Sequence, residues 1–181
     1  MENQIFNSLK SEITHEEILL TFISEHEFII KVLNNLNLLN KKFQKLEIYE
    51  NALNEIELLK KEIDILITFE SHHQREEKVL FFSMEEKGII HPTKVMRWEH
   101  HEIRQYTNDI KFFLDNINNE NFILKKRDIN FAIEQLVLDL EEHIYKENNI
   151  LYSMAVNLFF DKKEWEKMKY ECDKIGYPKY I

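Results

Sequence analysis

Two stretches of this sequence place histidine and glutamate at a spacing that can do chemistry. SHHQREEKVLFF (71–82) contains His72 and Glu76, and HIYKENNILY (143–152) contains His143 and Glu147. Residues four apart on a helix lie one turn apart on the same face. Each pair is therefore a two-toothed set of an imidazole and a carboxylate. The first stretch also offers His73 and Glu77 in the same spacing. By itself it does not say which pair faces inward.

An internal repeat decides between them. Both stretches read H-x-x-x-E, two polar residues, an apolar residue, Leu and an aromatic. Glu25-His26 with Ile29 following is echoed by Glu99-His100 with Ile103 following. The order along the chain is EH, HxxxE, EH, HxxxE, so the first half resembles the second. The alignment selects His72 and Glu76. It leaves His73 and Glu77 facing away, with Glu77 as the alternate should the register slip by one.

The six residues His26, His72, Glu76, His100, His143 and Glu147 then converge in an apolar interior. A buried carboxylate loses several kcal/mol of solvation, in order of magnitude, unless it is paired. One or two divalent cations would remove that penalty. No thiolate takes part, which argues against a structural zinc site. Mixed imidazole and carboxylate donors in a helical bundle point to iron or manganese, and six side chains suit two bridged ions. Taken singly, each histidine reads as a hydrogen-bonded core residue, and each His/Glu pair as a surface pair. Their recurrence on four helices is what favours a shared site. His15, His73, His91 and His101 read as surface residues or as partners behind the site. Glu25, Glu99 and Glu142 read as solvated, with a place behind the ligating histidines as the alternative.

The elements that must position these residues follow from composition. The chain has 181 residues, 44% hydrophobic and 31% charged, with only 2 glycines and 2 prolines. A sheet protein needs many tight turns, and this chain lacks the residues that make them. An all-α fold is expected. The net charge of −9 repels phosphate backbones and argues against nucleic-acid binding. Cys172 is the lone cysteine, so no intrachain disulfide forms. No apolar run reaches membrane-spanning length, and the N-terminus lacks a signal-peptide pattern. A cytoplasmic location is the default.

Four helical periodicities are predicted, over about 14–46, 51–87, 92–118 and 128–159, with a short amphipathic helix over 161–175. Thr14 and Glu17 suggest a capping box, and Gly88 and Gly176 suggest helix stops. The expected architecture is a single domain over 1–181. It is an up-down-up-down four-helix bundle over about 14–157 with an additional short C-terminal helix. The expected core seams are Leu19, Phe22, His26, Ile29, Leu33, Leu36 in the first helix and Ile65, Phe69, His72, Glu76, Val79 in the second. The third reads Met96, His100, Ile103, Thr107, Ile110, Leu114, and the fourth Ile133, Leu136, Leu140, His143, Glu147, Ile150, Met154. Val79 to Phe82 are expected to wall the site off from water. Phe22, Phe69, Phe81, Tyr106 and Tyr152 are expected core filler, Trp165 a packing anchor, and Cys172 has no role.

These motifs resemble the hemerythrin-like HHE cation-binding domains over about residues 14–157. Glu25-His26, SHHQREEKVLFF, MRWEHHEIR (96–104) and HIYKENNILY carry the resemblance, with the linking stretch EEKGIIHPTKVM. It implies a non-haem di-iron centre, oxo- or hydroxo-bridged, with manganese or zinc as other possible occupants. By the family pattern one iron takes His72 and His100 or their neighbours, the other His26 and His143, and Glu76 and Glu147 bridge. Oxygen-carrying members have a second histidine where this chain has Arg104, and an aspartate five residues after the last histidine where this chain has Glu147 at four. Those departures imply a more open coordination sphere, on which reduced iron can bind dioxygen, peroxide or nitric oxide. Arg104 then either stabilises a bound anion or reaches a surface carboxylate. The readings are a binding or sensing protein, an enzyme reducing one of those molecules, or an iron storage or delivery protein. Family members of the last kind usually add a cysteine-bearing N-terminal segment, and the residues before Thr14 hold no cysteine. No nucleic-acid or membrane partner is expected.

Overall fold

The computed structural model describes residues 17–179, so Thr14 and His15 lie outside the described residues. Every regular element among them is helical: α1 (Glu17–Phe43), α2 (Tyr49–Thr68), α3 (Glu70–Arg75), a first π-helical turn (Glu76–Phe81), α4 (Phe82–Glu86), α5 (His91–Asp115), α6 (Phe122–Lys146), a second π-helical turn (Glu147–Leu151), α7 (Tyr152–Leu158) and α8 (Lys162–Ile175). None of these helices is long and apolar enough to cross a membrane.

The helix ends follow local chemistry. Gly88 and Gly176 both take φ of 91°, the left-handed conformation that favours glycine after a helix. Pro92 sits in the first turn of α5, where its missing N–H costs nothing. Asp161 caps α8, its side chain accepting from the Lys163 N–H at 2.9 Å. The α6 helix starts at Phe122, earlier than periodicity indicates, because Phe122 is itself buried and packs edge-on against Phe43 and Tyr49.

The chain divides into two compact units. The one made of residues 29–68 and 100–141 is an apolar helical core, with Leu33, Leu36, Leu59, Ile63, Ile110, Ile133 and Leu136 fully buried. The other, made of 17–28, 69–99 and 142–179, contains the paired His/Glu stretches and α8. There Trp165, Met168 and Cys172 of α8 join Phe22, Leu80, Phe81, Met84, Leu151 and Tyr152 in one hydrophobic cluster. Trp165 is an anchor in this cluster, its indole N–H donating to the Phe159 carbonyl at 3.1 Å.

The seams of the first and third helices are buried throughout. The second and fourth depart from even spacing. Helix two breaks at Phe69 (φ −77°, ψ 3°), and before the break Leu66 is buried where Ile65 is expected. Each π turn then begins on the glutamate of an HxxxE motif. A π turn holds one residue more than an α turn and delays the buried face by one position. So Leu151 is buried at 2% exposure while Ile150, expected in the seam, is 53% exposed. The first turn likewise buries Val79, Leu80 and Phe81 in succession and leaves Phe82 outside, although Phe82 is expected in the wall.

This slip has a direct test. Leu151→Ala should lower the unfolding free energy by about 2–5 kcal/mol. Ile150→Ala should change it by no more than about 0.5 kcal/mol. Urea denaturation of both variants would decide, and equal costs would place both residues on an ordinary α turn.

Candidate metal centre

His26 of α1, His72 of α3, Glu76 at the start of the first π turn and Glu147 at the start of the second bring one donor atom each to a common point. All four are buried, with 1% exposure or less. The His26 and His72 Nε2 atoms are 3.0 Å apart. His72 Nε2 is 3.2 Å from Glu76 Oε2, and His26 Nε2 is 3.2 Å from Glu147 Oε2. The other Glu147 oxygen, Oε1, lies 3.1 Å from His143 Nε2.

The far side of each imidazole fixes what these contacts are. His72 Nδ1–H donates to Glu25 Oε2 at 2.5 Å, His26 Nδ1–H to Asn148 Oδ1 at 2.9 Å, and His143 Nδ1–H to Glu99 Oε2 at 2.9 Å. A neutral imidazole carries a single N–H. All three Nε2 atoms are then lone pairs, aimed at one another or at carboxylate oxygens. Such acceptor-to-acceptor contacts repel unless a cation lies among them. First-row metals bind nitrogen and oxygen at about 2.0–2.2 Å. Neighbouring donors of an octahedron at that bond length stand about 3 Å apart, the spacing found here. The residues present fit a divalent metal.

Charge points the same way. Among the described residues Arg75 is the one buried lysine or arginine, and its Nη2 donates to both oxygens of Glu25 at 2.7 Å. It is committed behind the site. Glu76 receives the Tyr152 hydroxyl on Oε1 at 2.5 Å. Burial, then the charges of Glu76 and Glu147, hold that phenol well above its usual range, so it remains a donor. In the metal-free protein a proton substitutes for the cation. Burial alone lowers the His72 imidazolium pKa, but the Glu76 charge and the hydrogen bonds to Glu25 and Glu76 reverse this and raise it to about 9.

The two halves of the repeat have like supports. Glu25 orients His72 and is held by Arg75, three residues beyond that histidine. Glu99 orients His143 and is held by Lys146 at 2.7 Å, again three residues beyond. Burial raises the Glu99 carboxyl, but hydrogen bonds from His143 and Lys146 win and keep it below the usual carboxylate range. Glu25 is thus buried and Glu99, 15% exposed at its side chain, largely withdrawn from water, each standing behind a histidine rather than facing solvent, because the residue before each EH histidine turns toward the neighbouring helix's histidine. Glu142 does face water, 62% exposed, and pairs with Lys146 at 3.0 Å.

The remaining positions fall as follows. The structure groups His26 with His72, where the family pattern joins His72 to His100 or its neighbours. His73 is buried at 8% exposure, its ring edge-on to His143 at 6.4 Å, and stays outside the donor cluster. Glu77 turns to Arg97, whose guanidinium Nη2 donates to the Glu77 carbonyl at 2.7 Å. His100 is fully buried within α5, Arg104 is partly buried, and His91 and His101 are exposed. Asn148 and Arg75 escape sequence reading, since an amide and an arginine next to polar neighbours look like surface residues. The repeat holds one clue to Arg75, which aligns with Lys146. Cys172 is buried and its thiol is pushed up to about 12 by burial, so it is no thiolate donor.

With fold and geometry in hand, the class of protein is defined. A model of the hemerythrin HHE cation binding domain matches residues 5–155, and the chain belongs to that family. It has the family's all-α bundle fold and is a metal-binding protein whose donors suit iron. Among curated proteins it is similar to the iron-sulfur cluster repair protein YtfE of Edwardsiella ictaluri (strain 93-146), at 31% identity over 106 residues. That alignment covers 56% of this chain and 45% of the relative, less than half its length.

The His72 proton must leave when a metal enters. Metal titrated into chelator-stripped protein at pH 7.5 should release at least one proton per chain. The release should shrink as pH passes about 9, where His72 is already neutral. Calorimetry in buffers of differing ionisation enthalpy measures it, and pH-independent uptake without proton release would contradict the geometry.

Proposed function

We propose that this protein is a non-haem di-iron hemerythrin-like protein that binds or senses dioxygen or a related small molecule, peroxide or nitric oxide. The observation that carries the reading is the 3.0 Å approach of two imidazole lone pairs beside two buried carboxylates. In this reading His26, His72, Glu76 and Glu147 hold one ion. Glu147 reaches across to a second, held with His143 and, by the sequence repeat, His100. The first half of the repeat then gives His26, His72 and Glu76 to one ion, the second gives His100 and His143 to the other, and Glu147 of the second half serves both.

Bound iron supplies a redox-active centre with room for a small exogenous ligand. The protein does the rest. Glu25, Asn148 and Glu99 fix the imidazole tautomers so that Nε2 faces inward. Tyr152 keeps its proton and presents it at Glu76 Oε1. Leu80, Phe81, Phe22 and Leu151 keep bulk water from that side.

A second reading, an iron delivery protein, is favoured by the name of the relative and tested by the same material. Anaerobically purified protein should carry two iron ions per chain, and His72→Ala and His143→Ala should each lose metal. On exposure of the reduced protein to air, a long-lived visible band that reverses under vacuum supports binding or sensing. Turnover of added peroxide with an electron donor would instead make it an enzyme. Transfer of the iron to a cluster-free iron–sulfur protein would make it a donor. Full metal retention in both alanine variants would overturn all three.

A further inference from the structure

The two histidine supports match in topology but not in exposure. Arg75 is 1% exposed, and its guanidinium lies over two rings, 5.3 Å from the Phe22 centroid and 4.4 Å from the Tyr177 centroid. Its Nε donates to the Ser71 carbonyl at 3.1 Å. Tyr177 follows the Gly176 turn at the end of α8 and is fixed by its hydroxyl, which donates to Asp173. The α8 helix is itself clamped by buried Trp165, Met168 and Cys172 and by the Lys87–Glu164 ion pair at 2.8 Å. On the other support the Lys146 side chain is 30% exposed and is shared between Glu99 and the solvent-facing Glu142.

We propose that α8 and Tyr177 form a strap that locks the His72 half of the centre, so that metal leaves in a fixed order: from His143 first and from His72 last. This rests on the two-ion reading above. An ion escapes when a ligating imidazole swings away. His72 cannot swing unless Glu25 releases it, and Glu25 is held by a buried guanidinium packed against two aromatic rings. His143 is held through Glu99 by a flexible ammonium that water already reaches. Arginine stacked on aromatic rings is a more rigid holder than a solvated lysine. The strap lies in residues 162–177, outside the residues 5–155 that the family model matches. Arg75 and Tyr177 are positioning residues, because neither touches the metal donors directly.

The test is release kinetics from full-length protein loaded anaerobically with Fe(II) and mixed with excess of a chromogenic ferrous chelator. Metal content before mixing tests the two-ion reading separately. Wild type should release iron in two phases of equal amplitude. Tyr177→Ala should speed the slow phase about tenfold, the low end of what loss of an outer partner does to metal affinity, and leave the fast phase unchanged. Tyr177→Phe, which keeps the ring but loses the bond to Asp173, should speed the slow phase less than Tyr177→Ala does. Arg75→Lys should speed the slow phase as Tyr177→Ala does, and Lys146→Met should speed only the fast phase. A single release phase in wild type, or a slow phase indifferent to both Tyr177→Ala and Arg75→Lys, overturns the strap while leaving metal binding intact. Wild type without metal overturns both readings.

Discussion

Two imidazole nitrogens facing each other at 3.0 Å rest there only with a shared proton or a metal ion between them. That constraint organises the unit around it. It requires the Nδ1 protons to be held outward, which is the work of Glu25 and Asn148. It brings Glu76 and Glu147 close enough to share the positive charge. A carboxylate so placed could not stay buried beside an apolar cluster without that charge. A metal ion replacing that proton would add to the stability of the fold.

The two π turns are the backbone's part in this arrangement. Each begins on the glutamate of an HxxxE motif, so each delivers its carboxylate and then advances the helix face by one residue. In the fourth helical stretch the advance places Asn148 next to Glu147, where its oxygen reaches His26. It is Asn148, five residues after His143, that stands where oxygen-carrying relatives have a carboxylate. An amide there orients an imidazole and adds no charge. The first π turn, together with α8, allows Val79, Leu80 and Phe81 all to be buried, which an ordinary α-helix against one neighbour does not permit.

How far the sequence could be read follows from which signals are local. Seams with regular three-and-four steps, such as Leu19 to Leu36 and Met96 to Leu114, are correct at every position because an unbroken α-helix obeys its own periodicity. Ile65, Ile150 and Phe82 fail because Phe69 and the π turns alter the period, and neither leaves a mark in residue type. The repeat placed Glu76 rather than Glu77 among the clustered donors. Glu25 and Arg75 are charged residues that propensity puts on the surface, and only partners from distant segments make their burial tolerable.

The sequence by itself determined an all-helical chain, the hemerythrin-like family, and a repeated histidine–glutamate unit with the chemistry to hold metal. Those follow from composition, helical spacing and residue type, all carried along one strand of chain. The tertiary structure decided which histidine meets which, which carboxylates stand behind them, and that α8 with Tyr177 covers Arg75 on one side while Lys146 meets water on the other. These depend on distances between segments 44 to 122 residues apart, such as Glu99 with His143 and His26 with Asn148. Such distances are set by packing in three dimensions, which no local pattern encodes.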